Sequence, residues 1–156
     1  MEEEKPLSCS LDSFPYALYG HSATIIPTGI LVCGGSSSSG STNRCYEYKK
    51  ANSSWQSFPP MTTNRYFFDM KLLNQEIWAF GGMGGYRSET TLDKFDVHKN
   101  VWTKYSMPFR KQYCLTKLTL DKLILIGGHG TTSVSEKNAR TKFSNQIIFL
   151  TFSYGQ

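Results

Sequence analysis

The feature that most constrains this chain is a short apolar run that ends in two glycines and occurs three times. The three glycine pairs are Gly34-Gly35, Gly81-Gly82 and Gly127-Gly128. Their first glycines are 47 and then 46 residues apart. A fixed period in this range is the signature of a repeat protein, in which each repeat is one small structural unit packed on its neighbour. The sequence therefore predicts three consecutive copies of one unit.

Aromatic residues repeat in the same register. Trp55 and Trp102 are 47 residues apart, and so are Tyr48 and Phe95, which precede them. Because glycines and aromatic residues share one period, we interpret the pattern as a true repeat and assign the tryptophans to the core.

Each unit has the composition of β-strands. In the second unit, stretches rich in apolar, β-branched and aromatic residues cover 66–73, 76–80, 92–97 and 101–105, with turn-forming residues or longer loops between them. Such stretches favour strands. We find no sustained helical period with caps, so the sequence predicts an all-β fold.

The glycine pair, the aromatic residue and the tryptophan together resemble the kelch repeat, the unit of the kelch β-propellers. The matching residues are Gly34, Gly35, Tyr48 and Trp55, then Gly81, Gly82, Phe95 and Trp102, and finally Gly127 and Gly128. The resemblance implies that each repeat is a four-stranded antiparallel blade. It also implies that the glycine pair ends the second strand near the central axis and that the tryptophan packs between blades.

This resemblance predicts a partial propeller of about three blades. The expected segments are an N-terminal stretch at 1–15 that could be an outer strand, and blades at 16–62, 63–109 and 110–156, the last without its fourth strand. Closed propellers have about four to eight blades. Two accounts stay open. In the one that we favour, the chain is a fragment and the missing blades belong to a longer chain. In the other, two chains form a homo-oligomer with a six-bladed ring, and residues 7–11 supply the missing outer strand.

Charge and hydropathy exclude several classes of partner. The net charge is +5, from 17 Lys and Arg against 12 Asp and Glu, and the basic residues are scattered, so no nucleic-acid groove is indicated. No run approaches the roughly 18 apolar residues of a membrane span, so we predict no membrane partner. The acidic start lacks the pattern of a signal peptide, which favours a cytoplasmic location.

Two cysteines flank the loop at 36–43. Antiparallel pairing about this loop would make Cys33 and Cys45 near neighbours, so a disulfide is expected if the compartment is oxidising, and it would indicate an extracellular location. The interpretation we favour is a pair of small buried thiols in a reduced cytosolic protein. No cysteine spacing suggests a zinc site, and we expect no cofactor.

Catalysis is not indicated by the remaining residues. His21, His98 and His129 occupy different positions of the repeat, and neither a nucleophile elbow nor a zinc-type histidine pair is present. We therefore predict a non-catalytic protein. Since the galactose oxidase group of kelch-like propellers consists of copper enzymes, the alternative is a piece of a galactose-oxidase-like extracellular enzyme or a glycan-binding propeller.

Binding is the function that the pattern favours. In a four-stranded blade, the loops between second and third strands share one face with the connections between blades, and here those loops cover 36–43, 83–91 and 129–145. Loops on a rigid sheet suit recognition. We predict a scaffold or adaptor that binds an unknown protein partner. The candidate contact residues are Arg65, Tyr86, Arg87, Arg110 and His129. For Arg65 and Arg110, a structural role as hydrogen-bond donors is the alternative.

Overall fold

The computed structural model describes residues 13–107 with their side chains and, beyond them, the backbone of three strands between 115 and 151. These described residues form fifteen strands and no helix. The strands are β1 (Ser22–Ile26), β2 (Gly29–Cys33), β3 (Ser36–Ser37), β4 (Gly40–Ser41), β5 (Cys45–Lys49), β6 (Ser54–Phe58), β7 (Asp69–Leu73), β8 (Glu76–Phe80), β9 (Met83–Gly84), β10 (Arg87–Ser88), β11 (Thr91–Asp96), β12 (Val101–Ser106), β13 (Leu115–Leu118), β14 (Lys122–Ile126) and β15 (Ile147–Thr151).

The long strands form three antiparallel sheets that follow one another along the chain. The first sheet has the order β1-β2-β5-β6, the second β7-β8-β11-β12 and the third β13-β14-β15. The short hairpins β3–β4 and β9–β10 are inserted between the second and third strands of the first two sheets. The prediction of an all-β fold built from kelch-type antiparallel blades of a partial propeller is confirmed.

The first two sheets share one register. In the first sheet, the cross-strand partners Ile25, Ile30, Tyr48 and Trp55 form one row. In the second sheet, the corresponding row is Leu72, Ile77, Phe95 and Trp102. Directly paired residues lie on the same side of a sheet, so each row marks one face. We call it the tryptophan face of that sheet.

The core lies between the first sheet and the tryptophan face of the second. It is a cluster of buried residues from both sheets and their connection, namely Ile26, Leu31, Cys33, Cys45, Met61, Phe68, Met70, Ile77, Ala79, Phe95 and Trp102. The Phe58 ring centroid is 4.7 Å from that of Phe95. The indole Nε1 of Trp102 donates a hydrogen bond of 2.8 Å to the Pro59 carbonyl oxygen. The tryptophan therefore ties the outer strand of the second sheet to the connection that leaves the first.

The first glycine pair marks a close approach between the two sheets. Gly34 has a φ of 65°, and a Cβ at this position would overlap the carbonyl oxygen of Arg65. The next amide, that of Gly35, donates a hydrogen bond of 2.9 Å to the same oxygen. A side chain at Gly34 would therefore be excluded both by its left-handed backbone and by the neighbouring connection.

A buried ion pair lies beside this contact. The Nη2 of Arg65 is 3.2 Å from the Oδ2 of Asp93, and both side chains are fully buried. The Nη1 of Arg65 donates to the carbonyl oxygens of Gly81 at 2.8 Å and Thr91 at 3.1 Å. Burial lowers the pKa of the Arg65 guanidinium, and the carboxylate of Asp93 opposes that shift.

The carboxylate of Asp93 has further partners in the connection between the sheets. It accepts hydrogen bonds from the Thr62 hydroxyl and, at 3.2 Å, from the Thr63 amide. Asp93 lies in β11, so its two oxygens join the second sheet to residues 62–65. Both carboxylate oxygens and both terminal guanidinium nitrogens are bonded, whereas the buried Nε of Arg65 has no hydrogen-bond partner. These bonds offset much of the cost of removing the two charges from water.

The two cysteines at the base of the β3–β4 hairpin are bonded to each other. Cys33 and Cys45 are cross-strand partners at the ends of β2 and β5, and their Cα atoms are 4.1 Å apart. Both side chains are buried in the core. The bond closes the loop that contains the hairpin.

We expect Asp93→Ala to lower the free energy of unfolding by about 3–5 kcal/mol, because it leaves the buried guanidinium of Arg65 without its counter-charge. Urea unfolding followed by tryptophan fluorescence measures the loss. Glu76→Gln is the matched control: it weakens the partly exposed Glu76–Lys94 pair and should cost about 1 kcal/mol or less. Equal losses for the two variants would contradict the assigned role of Asp93.

Peptide mapping without reductant tests the disulfide. We expect one cross-linked peptide pair that contains Cys33 and Cys45, because the two sulfur atoms are bonded in the folded chain. Prior reduction should release the two peptides, and reduction should lower the free energy of unfolding by about 2–4 kcal/mol. Recovery of both cysteines as alkylated free thiols from the unreduced protein would refute the bond.

Candidate functional site

Four connecting segments meet at one end of the strands of the first two sheets. They are residues 13–21 and 59–68, which lead into β1 and β7, and residues 34–44 and 81–90, which contain the short hairpins. The Gly85 amide donates a hydrogen bond of 3.3 Å to the Ser41 hydroxyl, and the Tyr66 hydroxyl donates one of 2.8 Å to the Gly85 carbonyl oxygen. These bonds join segments from both sheets into one continuous surface, which we call the loop face.

The β9–β10 hairpin presents a tyrosine at its tip. Met83 pairs with Ser88 and Gly84 with Arg87, which leaves Gly85 and Tyr86 as the two turn residues. The Tyr86 side chain is fully exposed, and Arg87 beside it is also exposed. The hydrogen bond from Tyr66 holds the turn backbone in place, so a large aromatic ring projects into solvent from a fixed support.

A cluster of three aromatic rings lies on the connections into the first two sheets. The ring centroid of Tyr19 is 6.0 Å from that of Tyr66 and 5.9 Å from that of Phe67, and those of Tyr66 and Phe67 are 5.0 Å apart. Tyr19 is 54% exposed. The Phe67 amide donates to the Gly20 carbonyl oxygen at 2.7 Å, which joins the two connections.

The sequence analysis did not single out this cluster, although a signal for it exists. Tyr19 and Tyr66 are 47 residues apart, at the same position of the repeat. The predicted strand at 66–73 included Tyr66, so the repeated tyrosine was assigned to a strand, whereas β7 begins only at Asp69.

A cavity of about 380 Å³ opens on the loop face beside the β3–β4 hairpin. Its lining contains hydroxyl groups and a guanidinium, with Tyr16, Ala17, Leu18, Ser37, Ser39, Gly40, Ser41, Thr42, Arg44 and Tyr46 as the lining residues. The rings of Tyr16 and Tyr46 stack at 4.4 Å, and burial raises the pKa of the Tyr46 phenol. No lining residue is acidic, so the cavity suits polar or anionic groups.

The structure divides the five candidate contact residues. Tyr86 and Arg87 lie at the exposed hairpin tip, whereas Arg110 and His129 lie outside the described residues. Arg65 has no exposed surface and is bonded to Asp93 and to backbone carbonyl groups. The prediction that Arg65 contacts a partner is therefore corrected: it is a structural hydrogen-bond donor between the sheets.

Residues 13–107 show neither a metal-holding group of side chains nor a helix that could cross a membrane. Within this range no three His, Cys, Asp or Glu side chains are grouped so that they could hold a metal ion, and no helix suitable for crossing a membrane is found there. His21 precedes β1, and its ring stacks on Phe14 with a centroid distance of 6.1 Å. His98 lies in the turn between β11 and β12, so the two described histidines belong to separate elements.

The family model and the relatives that match this chain are all named for the kelch motif or for kelch proteins. The family model of the kelch motif matches residues 17–62. Over 151 residues, 88% of this chain, it is 26% identical to the Kelch repeat and BTB domain-containing protein 2 of cowpox virus (strain GRI-90 / Grishak). It is also 28% identical over 102 residues, 65% of the chain, to Kelch-like protein 26 of Danio rerio. With Kelch-like protein 40 of Xenopus tropicalis it is 25% identical over 123 residues, 78% of the chain.

The matches cover only part of each relative. They span 27% of the cowpox virus protein, 17% of the Danio rerio protein and 20% of the Xenopus tropicalis protein. The kelch motif at residues 17–62 contains the first glycine pair, Tyr48, Trp55 and the whole first sheet. The kelch motif at residues 17–62, these relatives and the repeated antiparallel sheets together support a kelch-repeat family for this chain.

Proposed function

We propose that this chain is a non-catalytic protein-interaction module, a kelch-repeat scaffold or adaptor, and that it binds its protein partner through the loop face. The observation that carries the proposal is the fully exposed Tyr86 on a hairpin whose backbone is fixed by Tyr66. Tyrosine and arginine are the residue types that most often dominate protein interfaces, and Arg87 stands next to Tyr86 in the sequence.

The rigidity of the loop face supports this role. The two hairpins are joined by the Gly85–Ser41 hydrogen bond, and the disulfide closes the base of the first. A surface that is already ordered loses less conformational entropy when a partner binds. Tyr86 therefore needs little reorganisation before it can be buried in a partner.

The charges of the loop face indicate the chemistry of the partner. Arg44 and Arg87 are both exposed, and within residues 13–107 neither guanidinium forms an ion pair with a carboxylate. Glu89 is half-buried and accepts a hydrogen bond of 3.2 Å from the Thr91 hydroxyl. A partner segment that offers carboxylates or carbonyl oxygens beside an apolar group would complement this surface.

The relatives support an interaction role in general terms, since they are named for kelch repeats and, in the cowpox virus protein, for a BTB domain. The Cys33–Cys45 disulfide favours the extracellular location that belongs to the alternative of a galactose-oxidase-like enzyme or a glycan-binding propeller. Within residues 13–107, however, no group of His, Cys, Asp or Glu side chains could hold a metal ion.

Affinity capture with variant baits tests the proposal. We expect Tyr86→Ala to reduce capture of bound proteins at least tenfold, because the loss of a central aromatic contact costs an interface about 2 kcal/mol or more. The bait is the immobilised chain, and bound proteins are quantified by mass spectrometry. Tyr105→Ala is the matched control, because Tyr105 is 44% exposed in β12 and does not belong to the loop face.

The decisive result is the difference between the two variants. Proteins captured by the wild type and Tyr105→Ala but lost with Tyr86→Ala are ligands of the loop face. If every captured protein is retained by Tyr86→Ala and by the double variant Tyr19→Ala/Arg87→Ala, the loop face is not the binding surface. Urea unfolding of each bait confirms that the exposed substitutions leave the fold intact.

A further inference from the structure

One short motif of the chain has no part in the loop face. The tripeptide Asn52-Ser53-Ser54 has the form Asn-x-Ser with a residue other than proline in the middle, which is the acceptor sequence for N-linked glycans. Asn52 is the only asparagine in the sequence that is followed two positions later by serine or threonine. The motif therefore marks one defined position as a candidate modification site.

The motif lies in the turn between β5 and β6. Because β5 ends at Lys49 and β6 begins at Ser54, Asn52 and Ser53 belong to the turn itself. The Asn52 side chain is exposed, and Ser54 is half-buried at the start of its strand. N-linked glycans are bulky, solubilising groups of the protein surface. A glycan joined to the Nδ2 of Asn52 would extend from this turn into solvent.

The needs of the turn do not account for an asparagine at position 52. Asparagine favours turns because it tolerates a left-handed backbone and because its side chain can bond nearby backbone groups. In this turn the left-handed residue is Ser53, with a φ of 51°, and no hydrogen bond within residues 13–107 involves the Asn52 side chain. In the equivalent turn of the second sheet the left-handed residue is Asn100, with a φ of 55°. The side-chain amide of Asn52 is thus left available.

The disulfide is an independent observation that points to the same chemistry. Cys33 and Cys45 are bonded to each other in the buried core of the sheet that carries the motif. Disulfides form and persist in oxidising compartments, which include the lumen of the endoplasmic reticulum. Asn-x-Ser acceptors are used on surface loops of secreted proteins, which pass through that lumen. An exposed acceptor and a buried disulfide in one sheet are what a chain that matures there would carry.

We propose that Asn52 is N-glycosylated. The acceptor is the side-chain amide of Asn52, and the donor class is an oligosaccharide carried on a lipid diphosphate. The Nδ2 atom forms a bond to the anomeric carbon of the first sugar, the bond from that carbon to the lipid diphosphate breaks, and one amide proton is released. No atom is oxidised or reduced in this transfer. The Ser54 hydroxyl completes the acceptor motif that the transferase recognises.

The position of the motif makes this inference independent of the proposed function. Strand β5 begins at Cys45, beside the loop face, and runs away from it to the turn that contains Asn52. At that far end, the Lys50 amide donates a hydrogen bond of 3.1 Å to the Thr28 carbonyl oxygen, which joins the turn to the one between β1 and β2. A glycan there would project away from the loop face, so glycosylation and partner capture can each fail without the other.

Peptide mapping of the protein purified from its natural source tests the proposal. We expect the peptide that contains Asn52 to carry a glycan. An amidase that removes N-linked glycans should then convert Asn52 to aspartate, which mass spectrometry detects at that position. Asn100 is the internal control, because it lies in the equivalent turn without an acceptor motif and should remain asparagine. Recovery of the Asn52 peptide only in its unmodified form would overturn the proposal.

A matched pair of variants, expressed in cells of the natural source, tests the role of the motif. Ser54→Ala keeps Asn52 but removes the acceptor hydroxyl, so the glycan should be lost completely. Ser54→Thr retains a hydroxyl at the same position, so the glycan should remain. Asn52→Gln removes the acceptor amide and should also abolish the glycan, and urea unfolding confirms that each variant is folded. A glycan that persists in Ser54→Ala, or that is lost from folded Ser54→Thr, would overturn the assignment.

Discussion

The close contact between Gly34 and the connection at Arg65 determines how the first two sheets fit together. Backbone meets backbone there, because the Gly35 amide donates to the Arg65 carbonyl oxygen and Gly34 has no Cβ that would prevent the approach. The side chain of Arg65 then reaches the second sheet and pairs with Asp93. One residue thus bonds the first sheet through its carbonyl group and the second through its guanidinium, and the core and the loop face both depend on that arrangement.

Much of the fold could be predicted because the repeat register determines it. Three of the four stretches predicted in the second unit agree with β8, β11 and β12 to within one residue at each end, whereas the first, predicted at 66–73, begins as a strand only at Asp69. The reason is local: Tyr66 pairs with Met83 of the hairpin, and Phe67 has a φ of 54°. Residues 66–68 are aromatic and therefore have the composition of a strand, although their backbone does not continue β7.

The candidate binding surface was harder to predict than the fold. An arginine at the start of a repeat is expected to be exposed and to contact a partner. In the structure, Arg65 is buried and pairs with Asp93, which lies 28 residues further along the chain. No local sequence pattern indicates a pairing over that separation. The prediction for Tyr86 rests on its residue type, which is enriched at interface hot spots, and on its place in the loop between the second and third strands. The cavity beside Arg44 combines residues from two segments that strand pairing brings together, so no local pattern could reveal it.

The disulfide at the base of the β3–β4 hairpin holds the two ends of the loop together where they join the sheet. The bond spans only 12 positions of the chain and ends on β2 and β5, whose cross-strand pairing continues for four further residue pairs. The serine-rich residues inside this covalent ring can therefore change in length or sequence while the two ends that join the sheet keep their spacing. Recognition can thus diversify at this hairpin without altering the architecture that supports it.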